Sequence, residues 1–204
     1  MSERHTAQLV EDDGAPVGPL RPPTPNGLIV KPDFYYSLAM LLLAVAAVAV
    51  TCATTEVVTP PPMLAAFFFG FGLLTISMGY AHPQEGYVSF DRVAQVACIL
   101  VLGPVAAATI NGLASLVFPW HRLRKGESVG RVLDASVHNA GLMTLTVLIG
   151  GLAYESLGGS LPLSRLDAGS LLPILFLFAS MQIVNEFGMR ISLSLRDGRW
   201  LSGF

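Results

Sequence analysis

The most constraining feature of this chain is a long stretch that contains no basic residue. The sequence has 204 residues with 12 Lys and Arg, and none of the 12 lies between Asp33 and Asp91. Two uncharged apolar runs lie in this stretch, at 34–53 and 62–80. A helix of about 20 residues is about 30 Å long, which matches the hydrocarbon core of a bilayer. The sequence therefore predicts an integral membrane protein.

The composition supports this class and excludes others. The chain is 52% hydrophobic and 13% charged, whereas soluble domains carry about 25% charged residues. The net charge of −2 gives no electrostatic footprint for nucleic acid, so the lipid bilayer is the predicted partner. We expect a disordered or extended Pro-rich arm over 1–33, a transmembrane helix bundle over 34–195 and a short tail over 196–204.

The number of membrane spans depends on one long uncharged run. Residues 93–120 would form a helix of about 42 Å, which is long for a single span. Pro104 follows Gly103 in the middle of this run and favours a break, because proline lacks a backbone donor. We therefore expect an all-α polytopic bundle of about six transmembrane helices, with a Gly-Pro break between the third and fourth. The expected spans are 34–53, 62–80, 88–103, 104–120, 132–156 and 170–194.

The distribution of positive charge favours six spans over five. With six spans and the N-terminus inside, eleven of the 12 basic residues lie on the cytoplasmic side and only Arg165 lies outside. With five spans, seven lie inside and five outside. The sequence thus predicts a multi-pass protein of the cell inner (plasma) membrane with both termini in the cytoplasm. The alternative to the break between the third and fourth spans is one long tilted helix with a gentle kink.

Polar residues within the predicted spans are the candidates for function. An ionisable group at the centre of a bilayer costs roughly 2.5–3.5 kcal/mol on insertion scales. His138 and Glu186 should lie at similar depth, because spans five and six run antiparallel. The expected polar core consists of His138, Asn139, Asn185, Glu186 and Asn111. The alternative is that these groups make packing hydrogen bonds only, each worth about 0.6 kcal/mol.

Two charged features have simpler predicted roles. Glu186 and Arg190 are four residues apart on one helix face and should form an ion pair. A basic cluster should contact anionic lipid headgroups, and its members are Arg122, Arg124, Lys125 and Arg131. The sequence contains no Walker A loop, Gly-x-Ser-x-Gly elbow, Cys-x-x-Cys or His-Glu-x-x-His motif. We therefore expect a non-enzymatic protein with no catalytic residue, metal site or cofactor.

Two segments carry a family resemblance. They are VSFDRVAQVACILVLGPVAAATINGLASLV at 88–117 and SVHNAGLMTLTVLIGGLAYESLGG at 136–159, and Asn185 fits the same pattern. The chain here resembles the multi-span N-terminal sensor modules of bacterial signalling proteins that carry HD-GYP or GGDEF output domains. Its Gly-Pro turn is also similar to that of vitamin-binding S components of energy-coupling-factor transporters. Since the sequence ends at Phe204, we expect the membrane module without an output domain.

This resemblance implies a sensor-like or ligand-binding membrane module. One alternative is an accessory or structural subunit of a larger membrane complex, and another is the substrate-binding component of a transporter. A transport component needs a polar cavity near the middle of the membrane, whereas an accessory subunit should have a filled core. Other membrane protein subunits, or further copies of this chain, are the expected partners.

Overall fold

The computed structural model describes residues 32–82, 86–88 and 90–197. Over these residues the fold is mainly α-helical, with one 3₁₀ helix and a ribbon of two three-residue strands. The predicted arm lies outside the described residues up to residue 31, as do residues 198–204 of the predicted tail. The elements in chain order are α1 Pro32–Thr54, α2 Pro62–Ser77, β1 Tyr80–His82, β2 Gly86–Val88, α3 Asp91–Leu102, α4 Pro104–Val117, a 3₁₀ helix Phe118–Lys125, α5 Val129–Ser156 and α6 Ala168–Asp197.

Three of the six α-helices are long and apolar enough to cross a membrane. These segments are Phe34–Thr54 of α1, the whole of α5, and Ala168–Leu195 of α6. Helix α2 is also apolar but has only 16 residues, which gives a length of about 24 Å. Helices α3 and α4 have 12 and 14 residues, each shorter than a straight span needs.

The chain reverses direction between α3 and α4. Gln95 of α3 donates a hydrogen bond to the sulfur of Met143 (3.3 Å), and Gly112 of α4 faces the neighbouring Thr144. Both short helices therefore lie at the same level of α5. Gly103, between them, has φ +83°, which L side chains rarely adopt. Pro104 starts α4, where a missing backbone donor leaves no helical bond unmade.

Helix α5 is the centre of the bundle. In an apolar segment of 18 residues from each long helix, 61% of the residues are buried in α5, against 11% in α1 and 17% in α6. Helix α4 packs along α5, and ten of its 14 residues are buried. The core between the helices includes residues that are at most 1% exposed, among them Ile99, Ala107, Ala108, Val147, Leu148 and Tyr154. Helices α1 and α6 form an outer layer with broad exposed apolar faces.

The connections between helices gather at two opposite ends of the bundle. At the first, here called the Gly103 end, the loop after α1, the α3–α4 turn and the loop before α6 surround one cavity of about 400 Å³. The backbone N–H of Leu163 donates to the carbonyl of Leu100 there (2.8 Å). At the second, here called the basic end, the 3₁₀ helix lies beside the end of α2. The start of α1 meets the C-terminal half of α6 towards this end, where the Tyr36 hydroxyl donates to the Gly188 carbonyl (3.0 Å).

Asp167 caps the first turn of α6 at the Gly103 end. Its Oδ1 accepts hydrogen bonds from the hydroxyl and the backbone N–H of Ser170, both at 3.0 Å. These bonds favour the ionised carboxylate and lower the pKa of Asp167 below its usual value. The stabilising effect is therefore complete at neutral pH and is lost only as the pH falls through the lowered pKa.

Close packing of α1 on α5 gives a testable prediction. A Cβ atom at Gly141 would lie 2.6 Å from the backbone nitrogen of Leu41 and 2.8 Å from the carbonyl carbon of Met40. Because both neighbours are backbone atoms, Gly141→Ala should force the helices apart and reduce the free energy of unfolding by about 1–3 kcal/mol. Denaturant unfolding in detergent micelles measures this change.

Gly130→Ala is the matched control in the same helix. Nothing lies within 4 Å of a Cβ atom at Gly130, so this substitution should be neutral or slightly stabilising because alanine favours helix. Equal destabilisation by the two substitutions would contradict the assigned α1–α5 contact.

Candidate functional site

His138 lies on α5 next to α1, with its ring centroid 6.0 Å from that of Tyr36. Within the described residues, neither of its ring nitrogens has a hydrogen-bond partner, although both atoms are buried. Oδ1 of Asp134, one helical turn earlier, is likewise buried and unpaired among the described residues. An imidazole and a carboxylate thus share one face of α5 next to Tyr36, and this group can hold a proton or a small polar ligand.

Glu186 does not belong to this group. Among the described residues of α6, the buried positions are Pro173, Leu177, Met181 and Gly188, and successive helix residues are rotated by about 100°. Glu186 therefore points almost directly away from α5, and its side chain is 52% exposed. The structure does not bring His138 and Glu186 together, because Glu186 lies on the exposed face of α6.

A polar stripe instead runs along the exposed face of α6. The amide of Gln182 donates to Glu186 Oε1 (3.0 Å), and Arg190 Nε lies 3.7 Å from Glu186 Oε2. The structure thus contains the Glu186–Arg190 ion pair that the four-residue spacing predicts. Gln182, Glu186 and Arg190 are called the α6 stripe below. Glu186 precedes Leu195, the end of the apolar segment, by nine residues or about 14 Å.

The three asparagines of the expected polar core are also separated from one another. Asn111 is buried in α4, donates to the Ala107 carbonyl of its own helix (2.9 Å), and lies beside Gly72 of α2. Asn139 and Asn185 are partly exposed on α5 and α6. The predicted polar core is therefore distributed over the α1–α5 contact, the α2–α4 contact and the outer face of α6.

The basic cluster lines a groove of about 1000 Å³ at the basic end. The C-terminal parts of α2 and α4 supply apolar walls, and the 3₁₀ helix supplies the charges. The lining residues are Leu73, Leu74, Ser77, Gly79, Val117, Phe118, Trp120, His121, Arg122, Arg124, Lys125 and Glu127. We call this feature the basic groove. Arg131, the fourth predicted headgroup contact, lies exposed in the first turn of α5 and is not among the lining residues.

The local fold fixes the charged side of the groove. His121 Nδ1 lies 2.7 Å from the Phe118 carbonyl, and the two rings are 4.8 Å apart. Gly126, with φ +84°, ends the 3₁₀ helix, and its N–H bonds to carbonyls of that helix. Since residues three apart are aligned in a 3₁₀ helix, Arg122 and Lys125 lie on one side of it.

Sequence reasoning missed two residues of the His138 group. Asp134 precedes His138 by four residues, a spacing that places both on one helix face, so this signal was present in the sequence. Tyr36 lies about one hundred residues away in α1, and nothing in the sequence indicates that it meets α5. No group of three His, Cys, Asp or Glu side chains suited to a metal ion lies in the part of the chain that the structure describes.

Comparison with protein-family models, curated proteins and solved structures gives no significant match. The resemblance to sensor modules, and the roles that it implies, therefore remain predictions.

Replacement of His138 tests whether its ring has a purely structural role. A buried polar group without a partner contributes little to folding, so an apolar side chain of similar size is nearly neutral or stabilising. We expect His138→Leu to leave the thermal midpoint unchanged or to raise it, measured in detergent with the free protein. A loss of more than about 1 kcal/mol would contradict the unpaired state of the ring, and Leu145→Met on the same helix serves as the control for core substitution.

Proposed function

We propose that this chain is a non-enzymatic membrane subunit that joins a larger membrane assembly through the outer face of α6. The observation that carries the proposal is the α6 stripe, in which Gln182 and Arg190 contact Glu186 on a largely exposed and mainly apolar helix. Each charged group in contact with hydrocarbon costs roughly 2.5–3.5 kcal/mol near mid-depth. A neighbouring helix that supplies hydrogen bonds removes much of this cost.

The filled interior supports a subunit over a transport component. Ala107, Val147 and Leu148 are at most 1% exposed at the α4–α5 contact, so packed side chains occupy the centre of the bundle. The two cavities described above lie at the Gly103 end and at the basic end. A substrate-binding component needs polar space near the middle of the membrane, and this part of the bundle is closely packed.

We further propose a six-pass topology in the inner membrane, with both termini in the cytoplasm and α3 and α4 forming a short hairpin. The charges of the described residues support this orientation. Towards the basic end lie Arg92, Arg122, Arg124, Lys125, Arg131 and Arg190, whereas Arg165 lies at the Gly103 end. Glu56, Glu155 and Asp167 are the acidic residues at the Gly103 end. This asymmetry agrees with retention of basic segments in the cytoplasm.

Cysteine labelling tests the orientation. In a Cys52→Ser background, Glu56→Cys should react with a membrane-impermeant maleimide in intact spheroplasts, because residue 56 lies at the Gly103 end. Glu127→Cys, at the basic end, should react only after permeabilisation. Both positions are exposed, so accessibility to the reagent is matched. Reaction of both positions from the same side would refute the proposed topology.

Site-specific photocrosslinking tests the contact of α6 with a partner. Ile183, next to the stripe, is 68% exposed, and Leu42 on α1 is 61% exposed. A photoreactive residue at 183 should give a discrete protein adduct of fixed mass in native membranes, whereas the same residue at 42 should give mainly lipid adducts. Glu186→Gln should weaken the adduct at 183, because the charged hydrogen bonds are lost. Lipid adducts alone at position 183 would overturn the proposal.

A sensor or ligand-binding module is the second candidate function. The buried, unpaired nitrogens of His138 beside Asp134 favour it, since such atoms are available to a proton or a polar ligand. The resemblance to bacterial sensor modules supports the same candidate. Unchanged or raised stability of His138→Leu would agree with a ring that is available to a proton or a ligand. A loss of stability would instead indicate that the ring contributes to packing.

A further inference from the structure

We propose that the basic groove is a specific binding site for one anionic phospholipid, whose phosphate lies at the 3₁₀ helix and whose acyl chain lies along α2 and α4. This site is independent of any partner at α6. Its charged residues are Arg122, Arg124 and Lys125, and one acidic residue, Glu127, is also part of the lining. The three bases and one acid leave a formal excess of two positive charges, which is suited to a phosphate-bearing headgroup.

The apolar side of the groove distinguishes a lipid from a soluble anion. Leu74 and Val117 line it and are 55% and 47% exposed. They lie on apolar helices whose C-terminal ends approach the charged residues, so apolar and basic surfaces meet within one groove. A free phosphate ion uses only the basic surface, whereas a phospholipid also covers the apolar surface and gains from its burial.

Trp120 supports the position of the groove at the membrane surface. It lines the groove and is 45% exposed, and tryptophan favours the level of the lipid headgroups. The volume of about 1000 Å³ is at the upper end of the range for small-molecule sites. The groove therefore has room for a glycerophosphate headgroup together with the first part of an acyl chain.

Fluorescence of Trp120 reports lipid in the groove directly. In a Trp200→Phe background, Trp120 is the one remaining tryptophan of the sequence. The protein is placed in vesicles that contain phosphatidylcholine and phosphatidylglycerol in a fixed ratio, with bromine on the acyl chains of one lipid or the other. We expect brominated phosphatidylglycerol to quench Trp120 more than brominated phosphatidylcholine at the same mole fraction. Equal quenching by the two lipids would refute the site.

Four variants separate a specific groove from general attraction of basic residues to an anionic membrane. Arg122→Gln and Lys125→Gln should each reduce the preference for phosphatidylglycerol by about fivefold, and Arg165→Gln at the Gly103 end should leave it unchanged. Ser77→Phe keeps every charge but fills the groove. Ser77→Phe should abolish the preference for phosphatidylglycerol, and an unchanged preference in this variant would show that the groove is not the site.

Inorganic phosphate distinguishes the two possible sources of the anion. At 10 mM and constant ionic strength, about the concentration that occupies a weak site, phosphate should not alter the quenching by brominated phosphatidylglycerol. Relief of the quenching by phosphate, with no effect of sodium chloride at the same ionic strength, would overturn the lipid assignment. Identical gel-filtration profiles of the variants confirm that folding is retained.

Discussion

The close packing of α4 against α5 is the constraint on which the rest of the bundle depends. Gly112 faces Thr144 of α5, and Gly151 of α5 faces Pro104 at the other end of α4. Lipid tails provide no hydrophobic drive for helix association, so stability comes from dispersion contacts that require small residues and short distances. Since α2, α3 and α4 are too short to be positioned by spanning the bilayer alone, this contact fixes their level relative to α5.

The positions of the long helices could be predicted from the sequence, because each of them contains a long run with few charged residues. The span expected at 34–53 lies within α1 (Pro32–Thr54), and those expected at 132–156 and 170–194 lie within α5 and α6. The bounds of the short helices are predicted less accurately. The expected span 88–103 begins at Asp91, because Gly86–Val88 pairs with Tyr80–His82 as a ribbon, and backbone pairing between two such short segments leaves little trace in residue type.

The sequence indicates which polar residues lie within the helices, but it does not indicate towards which side of each helix they point. An amphipathic helix in water reveals its inner face by an apolar stripe, whereas the exposed positions of α6 include residues as apolar as Ile183 and Phe187. Nothing in such a helix marks which side meets α5, so the sequence does not indicate that Glu186 lies on the outer face. Met181 and Gly188, seven residues apart, lie on the inner face of α6. This is evident only from the structure, in which Met181 contacts Gly150 and Gly188 contacts Leu142.

The environments of the polar groups explain why α6 carries the functional proposal. The ring nitrogens of His138 and Oδ1 of Asp134 are buried within the protein. The α6 stripe faces outward, and Glu186 accepts a hydrogen bond from Gln182 and pairs with Arg190 on its own helix. Arginine near a helix end can extend to the headgroups, but Glu186 has a short side chain about 14 Å from the end of the apolar segment. A protein surface is therefore a better neighbour than lipid for this face of α6.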